Sequence, residues 1–215
     1  MNEADSGPSA APDSLALAAR HGIHLLAIPT PFLVGRVNCY LIEDEPLTLI
    51  DTGPNSGKSL DELERALARH ERTIEELELI VITHQHMDHV GLLEIIARRS
   101  GAQVAALSLL GRYLEDFDHS AADDDAFAQA MMRRHGVPTD LAGALGAAVA
   151  AFRAFGSSGR VTRALCDGDT LRCAIAACKS FIGRATALRT RSSGTSTGGS
   201  CSPETTCWVT SPQIR

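Results

Sequence analysis

The sequence lacks several features that would place it in a broad functional class. It has no apolar run near the roughly 18–20 residues of a membrane-spanning helix, which excludes a helical membrane protein. It has no excess of basic charge, because its formal net charge is −6, and this argues against binding to nucleic acid or to anionic membrane surfaces. It also lacks a cationic segment followed by an apolar one at its start, so we expect no signal peptide and a cytoplasmic location.

The composition changes abruptly near residue 172. Residues 1–172 carry 25 acidic and 15 basic residues, whereas residues 173–215 carry one acidic and five basic residues, together with four of the six cysteines. Hydrophobic periodicity also stops there. Residues 1–20 are small and polar and are expected to form a disordered leader. We therefore predict one domain over residues 21–172, followed by an aberrant tail.

The predicted domain alternates between strand and helix patterns, as in a layered arrangement of both. Strands are predicted over residues 23–28, 37–43, 47–50, 78–83, 103–107 and 161–165, and helices over residues 56–70, 90–99, 122–135 and 141–155. Two roles are open for the helical stretch 108–155. It forms either a lid over the functional site, with Tyr113, Phe117, Phe127 and Met131 facing it, or plain packing on the outer layer.

The chemically informative segment is the heptapeptide THQHMDH, which follows a buried strand. On a loop that leaves a strand, His84 and His86 turn towards one point, and Asp88 and His89 turn towards an adjacent one. Imidazole and carboxylate groups bind zinc, and also iron or manganese. Two adjacent ligand pairs favour two metal ions that share a bridging hydroxide. Metal binding lowers the pKa of a water molecule to about 7, so the hydroxide forms at neutral pH. The other histidines are interpreted as incidental polar residues: His21, His24, His70, His119 and His135.

This heptapeptide after a hydrophobic strand resembles the signature of the metallo-β-lactamase-fold hydrolases. The upstream segment LIDTG, which contains Asp51, resembles a second segment of that family. The resemblance covers about residues 21–172. It implies an α+β fold, a four-layer αβ/βα sandwich with the metal ions at one edge between two sheets. Thr83 and Asp51 would support the metal loop from beneath without binding metal.

The resemblance also implies a ligand set and a reaction. His84 and His86 would bind the first zinc ion, and Asp88 and His89 the second, with Asp88 also catalytic; the alternative for Asp88 is that it only orients a ligand. The expected activity is hydrolysis of a small acyl or ester substrate by metal-bound hydroxide. One alternative is an iron-dependent redox enzyme on the same fold, and another is a non-functional product. We expect a small-molecule substrate and no nucleic-acid or membrane partner.

The second half of the family pattern is missing from the sequence as written. The family takes three more ligands from a PGH segment, a GD segment and a distal histidine, yet no histidine follows His135. A shift of the reading frame supplies them. Each shifted codon joins the third base of one codon to the first two bases of the next. The shifted codon that spans Phe181 and Ile182 therefore encodes only His or Tyr, and the one that spans Trp208 and Val209 encodes only Gly. Permitted third bases then give a PGH segment, an apolar strand that ends in GD, and a further histidine. We therefore predict that residues 173–215 are an out-of-frame translation and that the second half of the fold is incomplete.

The DNA sequence across codons 165–215 tests this prediction. We expect shifted codons for the PGH and GD segments, in that order, within the stretch that encodes residues 173–215. Restoring the frame near codon 172 should then restore two-metal binding and activity together. A DNA sequence without those shifted codons contradicts the frameshift.

Overall fold

A six-stranded mixed sheet forms the centre of the structure, a computed structural model that describes residues 11–172 and 177–179. Its strands lie in sequence order: β1 (Ile23–Pro29), β2 (Arg36–Ile42), β3 (Thr48–Ile50), β4 (Leu79–Val81), β5 (Gln103–Leu107) and β6 (Arg163–Leu165). Strand β2 is antiparallel to its two neighbours β1 and β3, and β3 to β6 are parallel. The carboxyl ends of β3 and β4 therefore meet at one edge of the sheet.

Seven helices connect or precede these strands in the part of the chain that the structure describes. They are α1 (Ala11–Arg20), α2 (Gly57–Ala68), α3 (Met87–Val90), α4 (Leu93–Ser100), α5 (Ser108–Glu115), α6 (Phe117–Arg134) and α7 (Thr139–Phe152). Short 3₁₀ turns lie at Ile74–Glu76 and Arg153–Phe155. A separate antiparallel pair consists of β7 (Thr170–Arg172) and β8 (Ala177–Lys179). Among the described residues, no helix combines the length and the apolar character needed to cross a membrane.

The two faces of the sheet carry different apolar sets. On one face, Ile80 and Ile82 belong to the main core with the buried residues of α2 and α4. On the other face, Leu79 and Val81 belong to a smaller cluster that Leu171 of β7 joins. Strand residues alternate between faces, so β4 is buried on both sides, as its continuous apolar sequence predicts.

Helix α2 fixes the segment that leaves β3. Ser56 caps its first turn, because the Ser56 hydroxyl oxygen accepts a hydrogen bond of 3.1 Å from the Ser59 backbone N–H. Ser59 in turn donates its hydroxyl to the Pro29 carbonyl at 3.1 Å. Leu63 and Leu67 are fully buried against the sheet. These contacts hold the start of α2 beside the carboxyl end of β3.

The α+β class predicted from the sequence is confirmed, and three local predictions are wrong or untested. The disordered leader is wrong over Ala11–Arg20, where alanine-rich sequence with a proline in the first turn forms α1 against β1. The predicted loop from His84 to His89 contains one helical turn, α3. Residues 1–10, 173–176 and 180–215 lie outside the described residues, so the aberrant tail stays a prediction.

The lid role is wrong for Phe117, and nothing tests it for the other three residues. Phe117 is 2% exposed and belongs to the main core, and Tyr113 packs against the same core. Their rings meet edge to face at 6.0 Å between centroids. Phe117 also lies against Gly156, where an added Cβ would overlap its ring. The large Phe117 ring faces the core because the segment after α7 packs closely against it at Gly156.

Gly91, directly after α3, lies in close contact with two neighbouring backbone segments. An added Cβ there would overlap the backbone of Asn55 and of Phe155. We expect Gly91→Ala to lower the free energy of unfolding by about 3 kcal/mol, which lowers Tm by roughly 6–12 °C. Gly57→Ala is the matched control, because nothing lies within 4 Å of its added Cβ, and its Tm should be unchanged or slightly higher. Equal Tm values for the two variants, measured by thermal melts, would contradict this packing.

Candidate metal centre

The metal loop, residues 83–89, starts beyond β4 and runs into α3. Thr83, His84 and Asp88 are half-buried, whereas His86 is exposed. His86 precedes the first helical residue, and the turn of α3 carries Asp88 and His89. The loop therefore presents the predicted ligands at the carboxyl edge of the parallel strands, where β3 also ends.

Asp51 holds this loop from the neighbouring strand. Its carboxylate accepts hydrogen bonds from the Thr83 backbone N–H at 2.9 Å, the Thr83 hydroxyl at 2.7 Å and His89 Nδ1 at 2.7 Å. Asp51 is 3% exposed, and its backbone has a φ of 58°, a left-handed conformation that is uncommon outside glycine. Backbone strain of this kind persists where the surroundings fix it.

The hydrogen-bond directions indicate which nitrogen of each ring carries the proton. The Thr83 hydroxyl donates to Asp51, so its oxygen accepts from the Nδ1–H of His84 at 2.9 Å. His89 donates its Nδ1–H to Asp51. A neutral imidazole has one donor and one acceptor nitrogen. Nε2 of both rings therefore carries a lone pair, which is the state that binds a metal ion.

The distances between the candidate ligand atoms suit metal ligands. His84 Nε2 lies 3.1 Å from His86 Nδ1, close to the separation of about 3.4 Å expected for two nitrogens on one tetrahedral zinc ion. His89 Nε2 lies 3.7 Å from Asp88 Oδ2. The His84 ring centroid lies 4.0 Å from that of His89 and 4.6 Å from that of His86. All four residues predicted as ligands thus lie close together, and their division between two metal ions stays a prediction.

Asp51 also lies within this cluster of possible ligands. One carboxylate oxygen of Asp51 and one ring nitrogen each of His84 and His89 lie within 4.8 Å of one another. The Asp51 oxygens, however, already accept three hydrogen bonds from Thr83 and His89. Their lone pairs are directed at the loop, so Asp51 fits the role of orienting the ligands, the role that the sequence predicts.

The three histidines of the loop differ in basicity. Burial, followed by the charges of His89 and His86, lowers the pKa of His84 to about 3. Desolvation also lowers the pKa of His86, with Asp88 opposing and His89 reinforcing it. Desolvation alone would lower the pKa of His89, but the hydrogen bond and charge of Asp51, with help from Asp88, raise it overall. His84 is therefore neutral at pH 7, ready to bind a cation.

Two supports of the loop could not be read from the motif itself. The Thr52 hydroxyl donates to the His89 carbonyl at 2.9 Å and accepts from the Leu92 N–H at 3.2 Å. Asn55 donates its N–H to the Phe155 carbonyl at 2.7 Å. The DTG sequence was a signal for Thr52, but none pointed to Phe155, which is a hundred residues further along the chain.

The Asp51–His89 bond predicts a pH-dependent effect on the stability of the metal-free protein. A histidine whose pKa is raised by folding contributes stability that is complete below its unfolded pKa of about 6.5 and is lost as pH rises through its folded pKa. Asp51→Asn should therefore destabilise more at pH 5.5 than at pH 8.5. The extra loss is on the order of 1 kcal/mol, about 2–4 °C in Tm. Asp61→Asn, on the exposed side of α2, is the control and should show no such difference.

The lowered pKa of His84 acts in the opposite direction. Between pH 6.5 and its folded pKa of about 3, the unfolded chain binds a proton at His84 that the folded chain does not. Acid therefore destabilises the wild type and both variants alike through this residue. Thermal melts at the two pH values separate the effects, and an equal Tm loss for Asp51→Asn at both would contradict the proposed geometry.

Known proteins share both the motif region and the fold. The family model for the metallo-beta-lactamase superfamily matches residues 33–148. The probable metallo-hydrolase YqjP of Bacillus subtilis (strain 168) is 42% identical over 72 residues, which cover 34% of this chain and 23% of that protein. The chain therefore spans less than a quarter of this curated relative.

Solved structures show the same fold at low sequence identity. A metallo-beta-lactamase family protein from Thermus thermophilus has a TM-score of 0.57 and 22% identity, over 74% of this chain and 51% of that one. A beta-lactamase domain protein from Burkholderia ambifaria has a TM-score of 0.57 and 23% identity, over 76% and 46%. The class B3 di-zinc metallo-beta-lactamase LRA-12 from an Alaskan soil metagenome has a TM-score of 0.52 and 14% identity, over 75% and 49%.

The family model covers more than half of the 215 residues. It includes Asp51 and the whole metal loop, and the structural matches agree with it in fold. The chain spans about half the length of those solved structures. This chain belongs to the metallo-beta-lactamase superfamily.

Proposed function

We propose that the protein is a metal-dependent hydrolase that acts on a small acyl or ester substrate. The observation that carries this proposal is the pairing of ligand atoms on one fixed loop. His84 Nε2 lies 3.1 Å from His86 Nδ1, and His89 Nε2 lies 3.7 Å from Asp88 Oδ2. Two adjacent pairs on a rigid support suit two metal ions that activate one water molecule.

Zinc is the metal that the ligand set fits best. Three imidazoles and one carboxylate are typical zinc ligands, and the same atoms also accept iron or manganese. The di-zinc enzyme LRA-12, similar to this chain in fold, supports the choice of zinc and of two ions. A bound zinc ion supplies Lewis-acid chemistry and lowers the pKa of its coordinated water to about 7.

In the proposed mechanism, His84 and His86 would hold the first ion, and Asp88 and His89 would hold the second. Asp51 and Thr83 fix the rings of His84 and His89, so no ligand has to reorient during the reaction. Asp88 is half-buried and 3.7 Å from His89 Nε2. Its carboxylate is placed to orient the attacking water and to accept the proton that water loses.

An aromatic group beside the loop favours an apolar acyl group in the substrate. The ring of Phe32 meets those of Phe152 and Phe155 edge to face, at 5.2 and 5.6 Å between centroids. The Phe155 carbonyl accepts the Asn55 N–H, and the 3₁₀ turn that ends at Phe155 contacts α3. Phe152 is 40% exposed, so this group offers a partly exposed apolar surface next to the turn that contacts α3. The acidic net charge of −6 also disfavours a polyanionic substrate.

The 215-residue chain should hold its metal weakly. Four ligands on one loop leave both ions with open positions, and incomplete sites bind with low affinity. After loading with zinc and dialysis, elemental analysis should find that the zinc content of the wild type exceeds that of the double variant His84→Ala with His86→Ala by well under two ions per chain. Tight binding of two ions at the metal loop would mean that the tail supplies ligands, contrary to the frameshift.

Activity is tested on the frame-restored protein at saturating zinc, with 4-nitrophenyl acetate and a small acyl thioester as probes. His84→Ala should lower the rate at least about 100-fold, because it removes a ligand atom from the first site. His135→Ala, which removes an exposed histidine from the C-terminal cap of α6, should leave the rate unchanged. A rate equal in both variants would contradict the proposal. Oxygen consumption with iron, and no hydrolysis with zinc, would favour the redox alternative.

A further inference from the structure

A second group of two histidines and one carboxylate lies at the other end of the sheet. His24 is in β1, Glu43 follows β2, and His70 follows α2. We call these three residues the His24 cluster. Ile42 pairs with Thr48 at the start of β3, so Glu43 lies beyond the amino ends of the strands whose carboxyl ends carry the metal loop. The two sites are therefore separate.

Strand pairing brings His24 and Glu43 together. Ile23 pairs with Ile42, and the Glu43 N–H donates to the Gly22 carbonyl at 2.8 Å. His24 and Glu43 are thus diagonal neighbours on the same face of the sheet. The next residues of β1 on that face, Leu26 and Ile28, are buried in the main core. On this face of β1, His24 lies at the end of the sheet and the residues that follow it are apolar.

Helix α2 supplies the third residue. It covers this face of β1 and ends at Ala68, and His70 follows within one turn. The His70 N–H donates to the Leu67 carbonyl at 2.8 Å. The His70 and His24 ring centroids are 4.0 Å apart, with 35° between their planes. The end of α2 is therefore fixed beside the edge of the β1–β2 pair.

The distances within the His24 cluster are those of a ligand set. His24 Nε2 lies 2.8 Å from Glu43 Oε2. One ligand atom from each of the three residues lies within 4.8 Å of the others, and all three side chains are half-buried. Zinc bonds of about 2.0–2.2 Å place neighbouring ligand atoms about 3–3.5 Å apart, so small side-chain rotations close the site. Arg72 contacts the other oxygen, Oε1, at 3.4 Å.

We propose that His24, Glu43 and His70 bind a first-row divalent metal ion, zinc being the best fit. Two of the three ligands are imidazoles, which favours zinc over calcium and magnesium, because those ions prefer oxygen. Two histidines and one glutamate leave a fourth position for water. The ion ties the end of α2 to the β1–β2 pair, three segments that otherwise meet through weaker contacts.

The surroundings favour a cation. Partial burial and the neighbouring His24 lower the pKa of His70, so its imidazole is neutral at pH 7.5 and needs to lose no proton before it binds. The cleft next to Glu43 is lined mainly by acidic side chains, namely Asp44, Glu45, Glu76 and Glu78, with Arg72 as its basic member. Arg72 pairs with Glu76 at 3.8 Å as well, so it can leave Glu43 without becoming unpaired.

Zinc titration of the full chain at pH 7.5 tests the site, with calorimetry as the measurement. The first background is His84→Ala with His86→Ala, which disables the metal loop. This double variant should still bind one zinc ion, and adding His70→Ala or Glu43→Gln should weaken that binding at least about tenfold. Adding His135→Ala, which removes a histidine outside both clusters, should change nothing. Bound zinc should raise Tm in the double variant and not after His70→Ala.

If the double variant does not fold, the same substitutions are tested in the wild-type chain. There, His70→Ala and Glu43→Gln should each lower the zinc stoichiometry by one ion, and His135→Ala should not. Arg72→Gln should raise the affinity several-fold, because it removes a positive charge beside the ligand Glu43. Circular dichroism checks that each variant is folded. If folded His70→Ala and Glu43→Gln bind as much zinc as His135→Ala, the site does not exist. This result is independent of any hydrolase activity.

Discussion

The carboxylate of Asp51 is the interaction on which the metal loop depends. It joins the ends of β3 and β4 by accepting the N–H and the hydroxyl of Thr83, and it joins both to α3 by accepting from His89. The Asp51 backbone is also fixed, because its N–H donates to the Val81 carbonyl at 2.9 Å. A buried carboxylate needs such partners to offset its lost hydration. The same bonds that satisfy Asp51 therefore orient the imidazoles, so stability and ligand geometry have one cause.

Close packing behind the loop limits what else it can do. Gly91 lets α3 approach the backbone of Asn55 and Phe155, and Ser157 donates its hydroxyl to the Val90 carbonyl at 3.0 Å. The segment after α7 thus supports the motif from a distance in sequence. A loop held on both sides cannot rearrange to improve a poor ligand set. The conformation of the loop is therefore fixed by its neighbours.

Local patterns predicted the elements well and their non-local contacts poorly. The strand over residues 103–107 is found at its predicted bounds, and the helix predicted over residues 56–70 is present as Gly57–Ala68. Both follow from periodicity within one segment. The burial of Phe117 depends on Gly156, and the turn of α3 depends on Thr52 binding the His89 carbonyl. No window around either residue contains those partners, so the sequence pattern could not indicate them.

His24 and His70 are brought together by the same kind of non-local contact. Each stands alone in its own segment, and only the antiparallel pairing of β1 with β2 and the return of α2 bring them to Glu43. Helix α2 also sets the separation of the two clusters. It starts beside the end of β3 that carries Asp51 and ends beside His70, and its 12 residues span about 18 Å at 1.5 Å per residue. No side chain bridges that distance. An ion at His24 can therefore affect the metal loop only through the rigidity of α2 and the strands between them.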